Sequence, residues 1–211
     1  TTIDLSSDGL YLAIGTSGSS VHVFYLPTKN QISVMSKHNG RIESVRFISD
    51  NQFIVSSDSS GVVWLWQSQN GNIVSKFEGH KGEVKTATVS FDGQYMVTGG
   101  SDTILRLWDL KTGELISILD EHTDEVVSAE FSPDQSILAS ASKDGTVRIW
   151  DFTYQSSASS KYIITPNTLP IQNVSFSSNS ILVILSADDD VSAWDTQSGR
   201  LLIQEKLFSP D

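Results

Sequence analysis

Histidine, hydroxyl and carboxylate stand together twice in this chain, as His80, Thr98 and Asp102 and again as His122, Ser140 and Asp144, 42 residues on. These are the residue types of acyl transfer, in which histidine takes the proton of a hydroxyl nucleophile and a carboxylate holds the imidazole in the required tautomer. A reaction centre is needed once, whereas this set recurs with identical internal spacing, and Trp108 and Trp150 each follow the hydroxyl by ten residues. The repetition therefore favours a structural unit over a nucleophile. A third set is partial: His38, Ser56 and Trp66 keep their places, but Ser60 stands where the acid is expected. In the fifth unit Asp188 and Trp194 remain while Asn167 and Ile184 fill the other places, and the first unit has Phe24, Gly18 and Ile14 with no polar partner.

The elements that position these residues follow from the same period. Trp66, Trp108, Trp150 and Trp194 are spaced by 42, 42 and 44 residues, and Phe24 lies 42 before the first. Self-similarity at this period marks a β-propeller array. Leu5-Ser-Ser-Asp8, Phe131-Ser-Pro-Asp134 and Phe176-Ser-Ser-Asn179 each precede an apolar run, a polar turn and an aromatic residue. Ile137–Ser142 reads as a strand, Lys143-Asp-Gly145 as a tight turn and Thr146–Trp150 as the returning strand, with Val147 and Ile149 on one face and Trp150 on the other. Both faces carry residues suited to burial, as a blade between neighbouring blades requires. Turns such as Gln69-Asn-Gly71, Lys111-Thr-Gly113 and Gln197-Ser-Gly199 then lead into a fourth short strand. The expected fold is all-β, a propeller of four-stranded antiparallel blades, with one domain over 1–211 and units 1–37, 38–79, 80–121, 122–166 and 167–211.

The Trp-Asp pairs Trp108-Asp109, Trp150-Asp151 and Trp194-Asp195, in register with Gly79-His80 and with His38 and His122, resemble the WD-repeat (WD40-type) family over essentially the whole chain. The resemblance implies that His80, Thr98, Asp102 and Trp108, and likewise His122, Ser140, Asp144 and Trp150, form hydrogen-bonded structural tetrads. It also implies a ring that most often has seven blades, so the five units here are expected to be part of a larger ring within a longer chain. Docking in the family uses the face that bears the His loops. By register this gives Arg41 and Glu43 in the second unit, Glu83, Lys85 and Ser101 in the third, and Glu125, Val127 and Lys143 in the fourth. The fifth unit adds Pro170, Gln172 and Ala187. The implied function is a non-catalytic scaffold that recognises partner proteins or peptides, without cofactor or metal, as part of a larger complex. The alternative is an architectural subunit whose blade edges and sides are buried in an assembly.

Charge narrows the partners. Fourteen Lys and Arg against 25 Asp and Glu give −11 over 211 residues, with no basic stripe of the kind that displaces counterions from phosphates. Nucleic acid and anionic membranes are not expected; basic partners are. The chain has no cysteine, which removes disulfides and thiolate metal sites. No apolar run approaches the roughly 18 residues of a membrane helix, and no signal-peptide pattern opens the chain, so an intracellular, cytoplasmic or nuclear location is expected. Asp188-Asp-Asp190 lacks the spaced ligands of a calcium loop, and Asn173-Val-Ser175 reads as a chance glycosylation match on an inner strand. The polar, Ser-rich stretch 153–161 reads as a longer surface loop.

Overall fold

The computed structural model describes residues 1–48, 51–152, 160–166, 169–187 and 189–207. Within them the chain forms twenty strands in five four-stranded antiparallel sheets, each in simple sequence order. The first sheet comprises β1 (Thr2–Leu5), β2 (Tyr11–Gly15), β3 (Val21–Tyr25) and β4 (Asn30–Met35), and the second β5 (Ile42–Phe47), β6 (Phe53–Asp58), β7 (Val63–Gln67) and β8 (Ile73–Phe77). The third holds β9 (Val84–Val89), β10 (Tyr95–Gly100), β11 (Leu105–Asp109) and β12 (Leu115–Leu119), and the fourth β13 (Val126–Phe131), β14 (Ile137–Ser142), β15 (Val147–Asp151) and β16 (Ser160–Ile164). The fifth holds β17 (Ile171–Phe176), β18 (Ile181–Ser186), β19 (Asp190–Asp195) and β20 (Arg200–Lys206). The architecture is all-β, as the period requires, and no helix is long and apolar enough to cross a membrane.

Local chemistry sets each turn. Where the first strand passes to the second, the hydroxyls of Ser6, Ser90 and Ser132 donate at 2.6 Å to Asp8, Asp92 and Asp134, and Ser177 donates to Asn179 at the same distance. Each of these hydroxyls also accepts the backbone N–H that opens the next strand, from Tyr11, Tyr95, Ile137 and Ile181. Short polar side chains thus close the turn with bonds that would otherwise go to water. The turns between second and third strands need a left-handed residue: Gly61 and Gly145 supply it at φ 90° and 82°, while Thr103 takes it at 68°.

Alternation along each central strand sends side chains to two different seams. In β14, Leu138 packs with Val97, Leu105 and Leu119 of the third sheet, whereas Ile137, Ala139 and Ala141 pack with Val174, Leu182 and Ile184 of the fifth. Trp150 likewise faces the third sheet while Val147 and Ile149 face the fifth. Four such apolar seams join consecutive sheets, and among the described residues none joins the fifth sheet to the first. The innermost strands adjoin in chain order, β1 to β5, β5 to β9, β9 to β13 and β13 to β17. Polar side chains lace them together: Asp4 accepts the Phe47 N–H at 2.7 Å, Thr86 that of Ala129 at 3.2 Å, and Glu130 that of Phe176 at 3.3 Å.

One register position seals each seam from the outer strand. Met35, Phe77, Leu119 and Ile164 pair with Val21, Val63, Leu105 and Val147, and all four are buried. In the fifth sheet the residue paired with Val191 is the exposed Glu205. At the other end, Ile3 is 61% exposed, although its register equivalents Val45, Ala87, Ala129 and Val174 are buried.

Candidate functional site

The residues with chemical potential meet on two levels, an interior chain of hydrogen bonds and a surface ladder of charges above it. In the third sheet Trp108 Nε1 donates to Thr98 Oγ1 at 2.9 Å, Thr98 Oγ1 lies 2.8 Å from His80 Nε2, and His80 Nδ1 lies 2.9 Å from Asp102. In the fourth the same path runs Trp150 to Ser140 at 2.9 Å, Ser140 to His122 at 2.8 Å and His122 to Asp144 at 2.8 Å. A carboxylate only accepts, so the histidine Nδ1 carries the proton and its bare Nε2 accepts the hydroxyl hydrogen. The hydroxyl oxygen in turn accepts the indole N–H. Every link runs the same way, from tryptophan on the third strand to the acid of the turn.

The second sheet departs from the sequence expectation. Trp66 donates to Ser56 at 2.8 Å and Ser56 meets His38 at 2.7 Å, but the acid is Asp58, whose Oδ2 lies 2.8 Å from His38 Nδ1. Ser60, at the place where the acid was missing, donates its N–H and O–H to the other oxygen of Asp58 at 2.9 and 2.7 Å, and Val62 N–H joins at 3.1 Å. The carboxylate has moved two residues back along the chain, and the turn has folded over it. This unit is therefore complete, and its acid was legible only as the nearest carboxylate to the vacant place.

Each acid also holds the loop ahead of the innermost strand, accepting the N–H of Asn39, Lys81 or Thr123 at 3.3, 3.1 and 3.0 Å. Burial alone would push these carboxyls up, but hydrogen bonds from the histidine, joined by the turn at Asp58 and Asp144 and by the Lys81 N–H and the Arg106 guanidinium at Asp102, outweigh it and hold all three well below the usual carboxylate range. In the fifth sheet Ile184 supplies no hydroxyl, and Trp194 Nε1 donates to Ser192 at 2.8 Å instead. Asn167 and Asp188 lie outside the described residues, as do residues 153–159 of the Ser-rich stretch.

Three of the hydroxyls, on Ser56, Thr98 and Ser140, belong to residues that are 0% exposed. A nucleophile must touch its substrate; these touch an indole and an imidazole. Among the described residues no group of three or more His, Cys, Asp or Glu could hold a metal.

The surface ladder was predicted as separate docking residues, and the structure brings six of them together. Arg41 pairs with Glu43 within the second sheet and reaches Glu83 of the third at 3.3 Å; Lys85 pairs with Glu83 and reaches back to Glu43 at 3.4 Å. Lys143 pairs with Glu125 in the fourth sheet at 3.1 Å. The Lys85 hydrogen bond and the charges of Lys85, Arg41 and Lys143 hold the Glu83 carboxyl below its ordinary range. Burial would lower Lys85, yet the bond to Glu83 and the charges of Glu43, Glu83 and Glu125 raise it. Three cations alternate with three anions, so this part of the surface is close to neutral on a chain of −11. Arg41 and Lys143 keep side chains 54% and 48% exposed. Ser101, Pro170, Gln172 and Ala187 are exposed, but Val127 is half-buried against the seam between fourth and fifth sheets.

Sequence reasoning missed one further clamp. Glu121 accepts Arg148 and also the Ser160 N–H at 2.9 Å and O–H at 2.6 Å, fastening the start of β16 to the loop before β13. Glu121 precedes His122 directly, which is the one sequence signal for it.

No curated protein matches the chain in a sequence comparison. The family model described as "WD domain, G-beta repeat" matches three times, at residues 29–67, 71–109 and 113–151. Each matched stretch begins with the outer strand of one sheet and continues through three strands of the next, so the sequence repeat runs out of phase with the blade and ties adjacent sheets covalently. The three stretches end at Gln67, Asp109 and Asp151, each directly after the tryptophan of a complete hydrogen-bonded set, and the sheets they close are blades. Repeats of this kind serve generally as protein-interaction scaffolds, and with five four-stranded blades and three matched repeats over more than half its length, this chain belongs to the WD40-repeat family of β-propellers.

Proposed function

We propose that the chain is a non-catalytic scaffold that recognises partner proteins or peptides through the loop-bearing face around Arg41, Glu43, Glu83, Lys85, Glu125 and Lys143. The observation that carries this reading is the crossed ladder between second and third blades, in which Arg41 reaches Glu83 and Lys85 reaches Glu43 from one blade to the next. A ladder already satisfied within itself gives a partner specificity more than raw affinity, because every new contact replaces one that exists. The burial of Ser56, Thr98 and Ser140 supports a structural role for these three hydroxyls.

The test is a peptide array probed with the wild-type chain and with the double variant Arg41→Ala, Lys143→Ala, whose side chains are 54% and 48% exposed. Exposed ion pairs contribute about 0–1 kcal/mol, so the variant should melt close to the wild type while losing the peptides that the wild type captures. Unchanged capture by a folded variant would remove this face as the docking surface. A second reading, an architectural subunit within a larger ring of blades, is favoured by one observation: among the described residues four apolar seams join the five blades, and none joins the fifth to the first. Light scattering decides it, since a stable monomer at all concentrations argues against faces that require cover.

A further inference from the structure

The outer strand of every blade is a sheet edge, with a row of backbone groups that no described strand pairs. Three of the five edges carry basic residues within the strand, Lys76 in β8, Lys161 in β16, and Arg200 and Lys206 in β20, the kind of side chain that discourages addition of another strand. β12, running Leu115-Ile-Ser-Ile-Leu119, carries none, and its Leu115, Ile116 and Ile118 are 43%, 41% and 44% exposed. The bulge opposite Trp108 does not set it apart, because all five outer strands bulge beside the equivalent aromatic residue. β4 is the other uncharged edge, but it lies between Lys29 and Lys37, whereas β12 lies between Glu114 and Asp120, both exposed. Lys111 belongs to the turn beyond Glu114.

We infer that β12 accepts an extended segment of a partner protein as a fifth strand of the third blade, and that this segment alternates aliphatic residues between basic flanks. Free N–H and C=O groups at strand spacing can be satisfied in series only by another extended backbone, and exposed alternate side chains supply the selectivity. Ile118 pairs with Arg106 and Leu115 with Trp108, so across the bulge at Ile116 these two stand on the same face of the strand, and aliphatic side chains of the incoming strand meet hydrocarbon. The acids at both ends favour cations at the flanks of the segment, and the net charge of −11 steers such a segment inward.

The experiment is fluorescence anisotropy with two labelled peptides, Lys-Lys-Ile-Thr-Ile-Thr-Ile-Lys-Lys and the same core flanked by Glu, titrated with the 211-residue chain. The Lys-flanked peptide is expected to bind at least tenfold more tightly than its Glu-flanked counterpart. Ile118→Lys should weaken that binding tenfold or more, while Ile163→Lys on β16, which adds the same charge to another edge, should leave it unchanged. Should Ile118→Lys fail to fold, as a melt reveals, Leu115→Lys takes its place. Amide exchange should slow along β12 when the peptide is bound. Equal binding of the two peptides, indifference to the β12 variants, or protection on a different edge would overturn the inference. Concentration-dependent association of the chain alone that Ile118→Lys abolishes would overturn it too, by making a second copy the occupant.

Discussion

Replacing Ser140 with alanine removes one oxygen and leaves two buried groups without a partner, Trp150 Nε1–H and His122 Nε2. Ser140, Trp150 and His122 are 0%, 1% and 3% exposed, so water cannot take the place of the lost hydroxyl. An unsatisfied buried donor or acceptor costs about 1–3 kcal/mol, which puts the variant about 2–6 kcal/mol below wild type. At about 2–4 °C per kcal/mol for a chain of this size, a loss near 4 kcal/mol lowers Tm by about 8–16 °C. Ser192→Ala is the internal comparison, because Trp194 is half-buried and donates to Ser192 alone; it should cost about 1 kcal/mol. The assay is thermal melting of both variants, with His122→Ala and the double variant His122→Ala, Ser140→Ala completing a cycle. The chain of bonds requires a coupling of at least about 1 kcal/mol between His122 and Ser140. A Ser140→Ala melt within 3 °C of wild type, roughly the equivalent of 1 kcal/mol, or strictly additive effects, would refute the account of the interior network.

The relocated acid of the second blade predicts that Asp58→Ala destabilises by more than about 2 kcal/mol while Ser60→Ala costs less than half as much, measured by denaturant titration; the reverse order would restore Ser60 as the key position. Thr103→Gly should stabilise by about 1 kcal/mol, because a β-branched residue at φ 68° carries left-handed strain that Gly61 and Gly145 do not; no rise in Tm would show that the turn is unstrained. Asp58, Asp102 and Asp144 hold their protons less tightly folded than unfolded, so the unfolded chain takes up more protons as pH falls below about 4 and stability drops through that range. Acid melts of Asp102→Asn should show a shallower drop than wild type. Amide exchange should be slowest in β6, β10 and β14, whose blades hold complete hydrogen-bonded sets, and faster in β2 and β18; slower exchange in β2 than in β14 would sink that ordering.

The tryptophan period and the strand-turn-strand pattern made blade order readable, because a side-chain period of two and a fixed turn leave little freedom for the backbone. Asp58 was not readable, since sequence register assigns a backbone place and says nothing of how far a carboxylate reaches when its turn curls back on it. The charges of the ladder were in view at their positions, but Arg41 finding Glu83, and Lys85 finding Glu43, depends on how closely two blades approach, a distance no single unit encodes. Val127 looked like a loop residue by spacing and turned toward a seam because its neighbour blade offers hydrocarbon. Glu121 acts on Ser160 across 39 residues, a link that no local pattern announces.

The seam-sealing series Met35, Phe77, Leu119, Ile164 and Glu205 makes the stack of blades a vector. What meets the first blade meets Ile3 and Leu5 together with the imidazole of His22, whereas what meets the fifth meets Val191 beside a carboxylate. Covering that carboxylate without a compensating donor costs several kcal/mol, so a sheet arriving there must bring a cation or hydroxyls. Identical copies joined tail to head would bury Glu205 against aliphatic side chains and lose most of what the seam returns. For a repeat fold that can lengthen by adding its own kind, one glutamate at the seam position opposite Val191 makes that addition costly.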